Sequence, residues 1–478
     1  MPCWKNAINA CFPMVSSKTS YFMSNRPVAF TAERLLHTLQ SLPVVNSYLV
    51  GFSGGADSTA LLYALNQIGA QLATPVSAVH VNHGIHADAD LWQSHCQSFC
   101  QKHAIKLTCL NVELKNNSGK GLEAEARELR YQAISALLQS GSCLLTAHHA
   151  DDQAETLLLN LMRGSGVDGL SAMPNSRPIG VAVLQRPLLG FQNSSLKVYL
   201  LERNIEWIED PSNLHLNHDR NFIRHKVIPL LEQRWPEVSK RLLLTSKVMS
   251  DTRKLLEQLA DSYLAENLTH PLVLHLFNMA DTRPELFKLL IRRWLKQAGV
   301  SSLPVYQLES FCRQVLEAKS GHKVSVTWDG GVLRLYRQKL WLQTSGETLP
   351  CPSTEWQNGD KAVDLGPDVG FLALEGFPGV HPDGNFSIKP RNKLEAGSIE
   401  QDGQHKSLKN LFQEADIPPW LRNSIPICEL DGSLVAVGDW CFSHDFAAWM
   451  SESGTRLVWR PQNALLQYIH NHQHTGKP

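Results

Sequence analysis

Residues 48–60, with the sequence YLVGFSGGADSTA, decide the fold of this chain. A short apolar run that ends at Phe52 leads into Ser53-Gly54-Gly55-Ala56-Asp57-Ser58, and a second apolar segment follows directly. This order predicts a buried strand, a tight glycine turn and then a helix. The paired glycines bring backbone N–H groups close to a ligand, and the start of the helix directs further N–H groups to the same place. We therefore expect this turn to bind a phosphate group.

The turn fits neither of the two common nucleotide-binding patterns. It lacks the Lys-Ser/Thr ending of the Walker P-loop and the third glycine of the dinucleotide-binding fingerprint. With two glycines alone, a simple turn in an unrelated α/β domain is the alternative interpretation. The hydroxyls of Ser53 and Ser58 add hydrogen-bonding groups for phosphate oxygens. Asp57, in the first helical turn, is expected either to cap the helix or to help hold Mg²⁺.

The first half of the chain alternates between strand and helix patterns. After the turn, strands are predicted at 75–83, 106–112 and 143–147, and helices at 87–103, 121–138 and 151–162. This alternation predicts an α/β fold in which helices cover both faces of a parallel sheet. Because ligands of such sheets bind at the carboxyl ends of the strands, the residues that carry chemistry are expected directly after the strands.

Polar clusters do follow the second and the fourth strands. The second strand leads into HVNHG at 80–84, and the fourth leads into HHADDQAET at 148–156. Asp152 and Glu155 lie three residues apart, on one face of the helix that begins there. Acids at a helix start are often only partners of the helix dipole, but two histidines and three acids after a buried strand favour a site. Asp57 and Asp152 are candidate Mg²⁺ ligands, since oxygen donors without a thiolate suit this ion better than zinc.

Four arginines are candidate binding residues for the same edge of the sheet. Arg127 and Arg130 lie three residues apart on the predicted helix at 121–138, either aimed at phosphate or on a solvated helix face. A strand-like stretch at 205–208 precedes the turn EDPSN at 209–213, and Arg220 and Arg224 follow on the next helix. Outward arginines at a helix start are the alternative there. One reaction centre requires that the glycine turn and the HHADDQAET segment lie on the same side of the sheet.

These motifs, taken in order, resemble the tRNA(Ile)-lysidine synthase family, a branch of the PP-loop ATP pyrophosphatases. The resemblance is carried by SGGADS, HVNHG, LEAEARELRY, HHADDQAET, RGSGVDGLSAM, EDPSN and RNFIR, and by KSLKNLFQEADIPPWLRNSIPI at 406–427. It covers about residues 45–235 and a second island near the carboxyl terminus. It implies a PP-loop domain that binds ATP through residues 53–58.

The resemblance implies an ATP-dependent ligase that joins free L-lysine to the first anticodon cytidine of a CAU-bearing isoleucine tRNA. ATP would adenylate the C2 oxygen with release of pyrophosphate, and the lysine amine would then displace AMP. A departing pyrophosphate needs N–H donors, Mg²⁺ and cations, which the glycine turn and Arg127 or Arg130 would supply. Attack by the amine needs a base. The candidates are His149, Asp152 and Glu155, which the sequence does not rank.

The same resemblance implies where lysine and the nucleotide bind. An ammonium group favours an acidic pocket, which Asp151, Asp152 and Glu155 would provide. In the family, the segment from EDPSN to RNFIR closes the substrate site, so Asn213, Arg220 and Arg224 are expected to contact nucleotide or lysine. Three other possibilities remain: another PP-loop tRNA-modifying enzyme such as a tRNA thiolase, an amide-forming nucleotide or NAD synthetase, which would not need the carboxyl-terminal RNA-like module, and an RNA-binding protein with an inactive ATP site. The sequence has no CxxC pair, which argues against thiolases that carry iron–sulfur clusters.

The chain of 478 residues is long enough for about three domains. We expect a disordered extension at 1–25, the PP-loop catalytic domain at 26–234, a mainly helical tRNA-binding domain at 235–343, a linker at 344–360 and a tRNA-recognition domain at 361–478. Residues 237–320 are predicted to be almost wholly helical, with a β-hairpin around Asp329-Gly330-Gly331 after them. In the last domain we expect one helix at 406–415 that buries Leu408, Leu411 and Phe412, and a hairpin around Asp431-Gly432.

Lysine plus arginine (45) equals aspartate plus glutamate (45), so contact with tRNA must come from local basic patches. One candidate patch is a basic helix face around Trp294, for which a solvated face is the alternative. The second candidate brackets the helix at 406–415. The patches comprise Lys288, Arg292, Arg293 and Lys296, and Lys389, Arg391, Lys393, Lys406 and Lys409.

Cysteine usage and hydropathy predict a cytoplasmic protein with no membrane partner. No apolar run approaches the length of a membrane span, and ten cysteines in 478 residues are typical of reduced thiols rather than of a disulfide framework. Zinc at Cys96 and Cys100 is disfavoured, because both fall in one predicted helix without a second ligand pair. The sequence leaves the oligomeric state open, with a homodimer among the alternatives.

Overall fold

The computed structural model describes residues 29–475 apart from 85–86, 113–121, 212–215, 277–281, 319–322, 345, 347, 358–359, 377–381, 395–396 and 402. The predicted extension at 1–25 and Asn213 therefore lie outside the described residues. The chain divides between Lys254 and Leu255 into two compact units. None of the described helices is long and apolar enough to cross a lipid bilayer.

The first unit contains a six-stranded sheet in the order β3-β2-β1-β4-β6-β5. Strands β1 to β4 and β6 are parallel, and only β5 runs antiparallel to its neighbour. The predicted parallel α/β fold is thus confirmed. The strands are β1 Ser47–Gly51, β2 Val76–Asn82, β3 Lys106–Asn111, β4 Ser142–Leu145, β5 Ser176–Ile179 and β6 Ala182–Gln185.

The helices of this unit cover both faces of the sheet. Strand β2 shows the two-sided burial, because Ala78 belongs to the core on one face and Val79 to the core on the other. The helices are α1 Ala32–Gln40, α2 Ala56–Gln67, α3 Gly69–Leu72, α4 Ala89–Lys102, α5 Leu122–Leu137, α6 Ala150–Met162, α7 Val167–Leu170, α8 Asn193–Leu201, α9 Asp219–Phe222 and α10 Ile228–Arg234. Helix α2 packs against β1, β2 and α8 and is apolar on almost every side.

The order of the strands positions the site. Strand β1 lies between β2 and β4, so the chain adds strands first on one side of β1 and then on the other. This reversal separates the loops that follow β1 and β4 and leaves a crevice at the carboxyl ends of these strands. Both the glycine turn and the HHADDQAET segment lie at this crevice.

The stretch at 205–208, predicted as a strand, forms only one isolated bridge. Ile208 pairs in parallel with Gly55, and its N–H donates to the carbonyl of Gly54 at 2.8 Å. This single contact holds the start of the EDPSN segment beside the glycine turn. Further along, one turn of π-helix at Ile223–Val227 joins α9 to α10, a feature often found at functional sites.

The second unit begins within α11 (Val238–Asn267) and continues through α12 (Pro284–Gln297) and α13 (Val305–Glu317). The prediction of an almost wholly helical region was wrong at 268–275. There, β7 (Leu268–His270) and β8 (Val273–His275) pair with each other, and β8 joins a sheet with the later strands β9 Ser325–Trp328, β10 Gly331–Tyr336 and β11 Lys339–Gln343. Strands this short carry too few alternating residues to stand out in the sequence. The hairpin predicted around residue 330 is confirmed by pairing of β9 with β10.

The carboxyl-terminal part of this unit combines antiparallel sheets with three helices. The helices are α14 Leu408–Glu414, α15 His444–Ser453 and α16 Ala464–Thr475. The strands are β12 Thr354–Trp356, β13 Ala362–Asp364, β14 Phe371–Glu375, β15 Phe386–Lys389, β16 Ser398–Gln401, β17 Gln404–Ser407, β18 Ile427–Leu430, β19 Ser433–Val437, β20 Cys441–Phe442 and β21 Arg456–Arg460. Leu408, Leu411 and Phe412 are buried, as predicted, and β18 and β19 form the predicted hairpin.

Two sequence-based expectations change in this region. The stretch at 344–360, expected to be a linker, contains strand β12, and Cys351 and Trp356 are buried in the core that the carboxyl-terminal sheets form. The helix expected from residue 406 begins at Leu408, because Ser407 caps it by accepting from the N–H of Asn410 at 3.3 Å.

Candidate active site

The glycine turn is held in one shape by its own hydroxyls and by Ile208. The N–H of Ser53 donates to Ser58 Oγ at 3.2 Å, and Ser58 Oγ donates to the carbonyl of Gly55 at 3.1 Å. Gly54 has φ +83°, and a Cβ added there would lie 2.8 Å from Ile208 Cδ1. The conformation therefore favours glycine, and a larger residue would in addition have to displace the end of the Ile208 side chain. Helix α2 begins directly afterwards, at Ala56.

Asp57 does not cap its helix, which excludes one of the two roles considered for it. The N-cap position is Gly55, which makes no side-chain cap hydrogen bond. Instead, Asp57 Oδ1 accepts from Asn193 Nδ2 at 2.5 Å, and Asp57 Oδ2 lies 3.4 Å from His149 Nε2. The glycine turn and the HHADDQAET segment thus lie on the same side of the sheet, as one reaction centre requires.

His149 lies buried among three carboxylates at the start of α6. Its imidazole nitrogens lie 3.4 Å from Asp57, 3.4 Å from Asp151 and 3.5 Å from Asp152. Burial by itself would lower the pKa of His149, but the neighbouring carboxylates of Asp151, Asp57 and Asp152 outweigh it and raise this pKa to about 10. At neutral pH the side chain is therefore an imidazolium.

Two arginines clamp the carboxylates of α6. Arg220 donates from Nε to Glu155 at 2.7 Å and from Nη2 to Asp152 at 2.9 Å. Arg224 donates from Nε and Nη2 to the two oxygens of Glu155, at 2.6 and 2.9 Å, and reaches Asp152 at 3.2 Å. Such two-pronged contacts are the strongest that a guanidinium makes with carboxylates. The alternative of outward arginines at a helix start is wrong.

The clamp changes the expected electrostatics of the pocket. Asp152 and Glu155 were expected to offer an open acidic surface, but the two guanidinium charges balance them. Burial alone would raise the pKa of Asp152, yet the positive charges of His149 and Arg220 outweigh it and lower this pKa. In this structure Asp152 and Glu155 are therefore already paired with guanidinium groups, which a cationic ligand would have to displace.

Arg127 and Arg130 line the same cavity from helix α5. Arg130 Nε donates to His83 Nε2 at 3.0 Å, at the end of β2. Burial and the positive charge of Arg130 lower the pKa of His83 to about 4, so this imidazole is neutral and accepts the hydrogen bond. Both residues are exposed and line the cavity, so a negatively charged ligand can reach them there.

The cavity has a volume of about 1200 Å³ and contains nearly all the residues selected from sequence. Gly54 and Arg220 are the described exceptions, although Arg220 donates to the lining residues Asp152 and Glu155. The predicted residues that line it are Ser53, Gly55, Ala56, Asp57, Ser58, Arg127, Arg130, His149, Asp152, Glu155 and Arg224.

The lining also includes residues that were not selected from sequence, among them His148, Asn193, Lys197 and Trp207. Asn193 begins helix α8, and its backbone N–H donates to Asp151 Oδ2 at 2.8 Å while its side chain holds Asp57. No local pattern marks this residue. His148 could have been selected from sequence, because it directly precedes His149 in the HHADDQAET segment. Burial lowers the pKa of His148 to about 4, despite the nearby charge of Asp152.

The first predicted basic patch does not form a surface with an aromatic side chain. Trp294 is 0% exposed and lies in the core between α12, α13 and the neighbouring sheet. Arg293 pairs with Asp261, Lys296 with Glu257 and Lys288 with Glu309. Most of the positive charge on this helix face is thus neutralised within the unit.

The second basic patch is divided between paired and exposed cations. Lys389 pairs with the buried Glu429 at 2.6 Å, and Lys406 pairs with Glu414. Lys393 and Lys409 are exposed, and the Arg391 guanidinium lies 5.9 Å from the centre of the Phe412 ring. The exposed members are the ones that remain accessible to a polyanion.

Three family models match this chain. They are described as a PP-loop domain, matched at residues 29–231, a TilS substrate binding domain at 274–341 and a TilS substrate C-terminal domain at 386–459. Among solved structures, the U34-tRNA thiolase NcsA from Methanococcus maripaludis, solved with its 4Fe-4S cluster, is 18% identical with a TM-score of 0.37. The match covers 46% of this chain and 78% of the thiolase.

Curated relatives are similar to this chain over most of its length. The tRNA(Ile)-lysidine synthase of Alkalilimnicola ehrlichii is 37% identical over 89% of this chain and 96% of the relative. The enzyme of the same name from Methylococcus capsulatus is 37% identical over 87% of this chain and 97% of the relative. That of Coxiella burnetii is 33% identical over 90% and 97%.

Proposed function

This chain belongs to the tRNA(Ile)-lysidine synthase family, and from that membership we propose that it is an ATP-dependent carbon–nitrogen ligase acting on tRNA. It joins free L-lysine to C2 of the wobble cytidine in isoleucine tRNA with a CAU anticodon. The observation that carries this proposal is the meeting of the PP-loop, His149 and the Asp152–Glu155 pair around one cavity of about 1200 Å³.

The first step forms an adenylated cytidine. The C2 oxygen attacks the α-phosphorus of ATP, the bond between the α-phosphorus and the bridging oxygen breaks, and pyrophosphate leaves. Residues 53–58 bind the departing pyrophosphate through backbone N–H groups and the Ser53 and Ser58 hydroxyls. Arg127 and Arg130, which are exposed and line the cavity, and the imidazolium of His149 add positive charge where negative charge develops.

Mg²⁺ fits the oxygen donors of this pocket. Asp57 is the better placed of the two predicted ligands, because among the described residues its carboxylate has one hydrogen bond, from Asn193, and one ion-pair contact, with His149. Asp152 already accepts from both arginines and from the N–H of His149 at 3.0 Å. Asp57 together with ATP phosphates would hold the ion, and Asp152 joins only if its arginine contacts change. The ion would supply neutralisation of the pyrophosphate charge.

The second step transfers lysine. Its amine loses a proton and attacks C2, the C2–O bond breaks, and AMP leaves with the oxygen. The lysine ammonium is received by Asp152 and Glu155 in place of guanidinium contacts from Arg220 and Arg224. Because His149 already carries a proton, one of these two carboxylates is the base. The released guanidinium groups of Arg220 and Arg224 contact nucleotide or lysine, and the family resemblance assigns the same role to Asn213.

The second unit recognises the tRNA. Support comes from the matches to the two TilS substrate domains at 274–341 and 386–459. Among the predicted basic residues, Arg391, Lys393 and Lys409 are the ones assigned to phosphate contact, since their neighbours Lys389 and Lys406 are paired with acids. The reaction and its substrates assign the protein to the cytoplasm.

The test is an incubation of the purified chain with isoleucine tRNA, ATP, Mg²⁺ and isotope-labelled lysine, followed by mass analysis of the nucleosides. Label in a modified cytidine, together with release of AMP and pyrophosphate, is the expected result. Sulfur in the nucleoside would show that the chain is a tRNA thiolase, another PP-loop enzyme, and not a lysidine synthase. Binding of tRNA without any pyrophosphate release would identify an RNA-binding protein with an inactive ATP site.

A further inference from the structure

A cluster of one carboxylate and two imidazoles lies in the second unit, in sequence far from the PP-loop. Asp439 is in the turn between β19 and β20, and His470 and His474 are on helix α16. His470 Nε2 lies 3.0 Å from Asp439 Oδ2, and His474 Nε2 lies 3.0 Å from Asp439 Oδ1. Within the described part of the chain, this is the one group of three such side chains whose ligand atoms all lie within 4.8 Å of one another.

The spacing of the two histidines is that of metal-binding helices. Residues four apart lie on one helix face, so both rings point to the same place, and their centroids are 4.5 Å apart. Bonds of about 2.0–2.2 Å in a tetrahedral zinc site place neighbouring donor atoms roughly 3.3 Å apart. The observed separations of 3.0 Å from each imidazole to the carboxylate are close to this value.

The carboxylate is fixed and withdrawn from solvent. The Asp439 side chain is 6% exposed, and its Oδ2 accepts from the N–H of Trp459 on β21 at 3.0 Å. One imidazolium would suffice to neutralise this single charge, yet two imidazoles converge on it. The second imidazole is what a metal site requires and a simple ion pair does not.

An open side remains for a further ligand. A cavity of about 440 Å³ adjoins the three residues, with walls that include Phe442, Met450 and Leu457. Water can reach the cluster through this cavity and complete the coordination. Two imidazoles, one carboxylate and water suit Zn²⁺ and similar divalent transition ions, whereas Mg²⁺ prefers oxygen ligands alone.

We propose that Asp439, His470 and His474 form a binding site for a divalent transition-metal ion such as Zn²⁺. The ion ties the last helix of the chain to the β19–β20 turn, which is itself bonded to β21. Its role is structural, because it links three elements of the carboxyl-terminal core that are distant in sequence. The proposal does not depend on the reaction assigned to the PP-loop cavity.

The test compares the full chain with three variants: Asp439→Asn, His474→Gln and His472→Gln. His472 lies on the same helix and is exposed, with its ring stacked near Tyr468 at 6.0 Å. It is the matched control for metal binding by any histidine-rich segment. Each protein is loaded with Zn²⁺ in excess Mg²⁺, dialysed and analysed for retained zinc, and its unfolding midpoint is measured with and without Zn²⁺.

We expect the original chain and His472→Gln to retain about one equivalent of Zn²⁺ and to unfold at a higher temperature when it is bound. Asp439→Asn and His474→Gln should lose this zinc and this shift, with affinity at least about tenfold weaker. The His474 side chain is 43% exposed, so we expect His474→Gln to fold. If Asp439→Asn does not fold, zinc retention is compared between His474→Gln and the original chain. Failure of the original chain to retain zinc overturns the proposal. Equal retention by all four proteins, or loss of zinc in His472→Gln, also overturns it.

Discussion

Two groups of arginine–carboxylate pairs in this chain have almost the same geometry and different surroundings. In the PP-loop cavity, Arg224 Nε lies 2.6 Å from Glu155, and in the second unit Arg293 Nε lies 2.6 Å from Asp261. The Glu155 side chain is 1% exposed, whereas that of Asp261 is 40% exposed. The two pairs therefore have the same bond length and differ in how far their carboxylates are exposed to solvent.

The difference in burial determines what each pair contributes. Removing one partner of a buried pair leaves an uncompensated charge, at a cost of about 3–5 kcal/mol. Removing one partner of an exposed pair costs about 0.2–1 kcal/mol, because water replaces the lost contact. The cavity thus keeps its charges in pairs that only another charged group can replace. A substrate ammonium is such a group.

The largest effect is expected from Glu155→Gln. The substitution removes the buried charge that both Arg220 and Arg224 contact, so lysine transfer should fall below detection. The free energy of unfolding should decrease by about 3 kcal/mol, near the lower end for a broken buried pair because the arginines are partly exposed. Activity and urea denaturation of the same preparation measure both effects. An unchanged free energy of unfolding in this variant would mean that water hydrates the Arg220 and Arg224 guanidinium groups once the carboxylate charge is removed.

A smaller effect, mainly on the reaction, is expected from Asp57→Asn. Release of pyrophosphate should fall by about 100-fold, as for loss of one group that acts on developing charge. The free energy of unfolding should fall by only about 1 kcal/mol, because Asp57 is a third exposed, the amide keeps the shape of the side chain, and Asp151 and Asp152 remain beside His149. The control is Asp168→Asn, an exposed acid in the first turn of α7. Unchanged pyrophosphate release in Asp57→Asn would show that the loop assignment is wrong.

The two pairs also show how far sequence can predict a site. The strand–turn–helix around Gly54 and the acids at the start of α6 follow from local patterns, and the structure has them where the patterns indicate. The contact of Arg220 with Glu155 spans 65 positions, and that of Asn193 with Asp57 spans 136. Rules based on the spacing of residues within one helix or strand do not predict contacts between residues so far apart in the chain.

The sequence also did not indicate which residues would be buried against neighbouring elements. Trp294 stands in a run of basic residues that is typical of a surface, yet the tryptophan faces the core while its charged neighbours find partners on α11 and α13. Strands β7 and β8 depend on pairing with each other and with β11, which follows more than sixty residues later in the chain. Sequence periodicity predicts whether a long element is a helix or a strand. Short strands and the burial of single residues are determined by tertiary packing.

A moderate and pH-dependent effect is expected from His149→Gln. The pKa of His149 is about 10 in the folded protein and about 6.5 in an unfolded chain. A pKa raised by folding stabilises the protein fully below pH 6.5 or so, and this stabilisation is lost as pH rises toward 10. The native chain should therefore lose up to a few kcal/mol of unfolding free energy across this range, and the variant should lose less.

Denaturant titrations at a series of pH values measure this difference, with His472→Gln as the control for loss of an exposed histidine. The other groups that titrate in the range are common to all three proteins, so the difference between their curves isolates His149. Parallel curves for the native chain and His149→Gln would contradict the imidazolium assignment. His149 would then be available as a base in the second step.

The smallest effect is expected from Asp261→Asn, which removes the exposed member of the comparison. Asp261 receives two hydrogen bonds from Arg293 and one from Gln297 at 2.7 Å, so the contact is well made. Solvent nevertheless limits its contribution, and the free energy of unfolding should fall by about 1 kcal/mol or less. Because salt screens exposed charges, raising the ionic strength should remove most of this loss, while the loss in Glu155→Gln should persist. If salt affected both variants alike, burial would not be what separates the two pairs, and the cavity arginines would be as easily displaced by water as by a substrate.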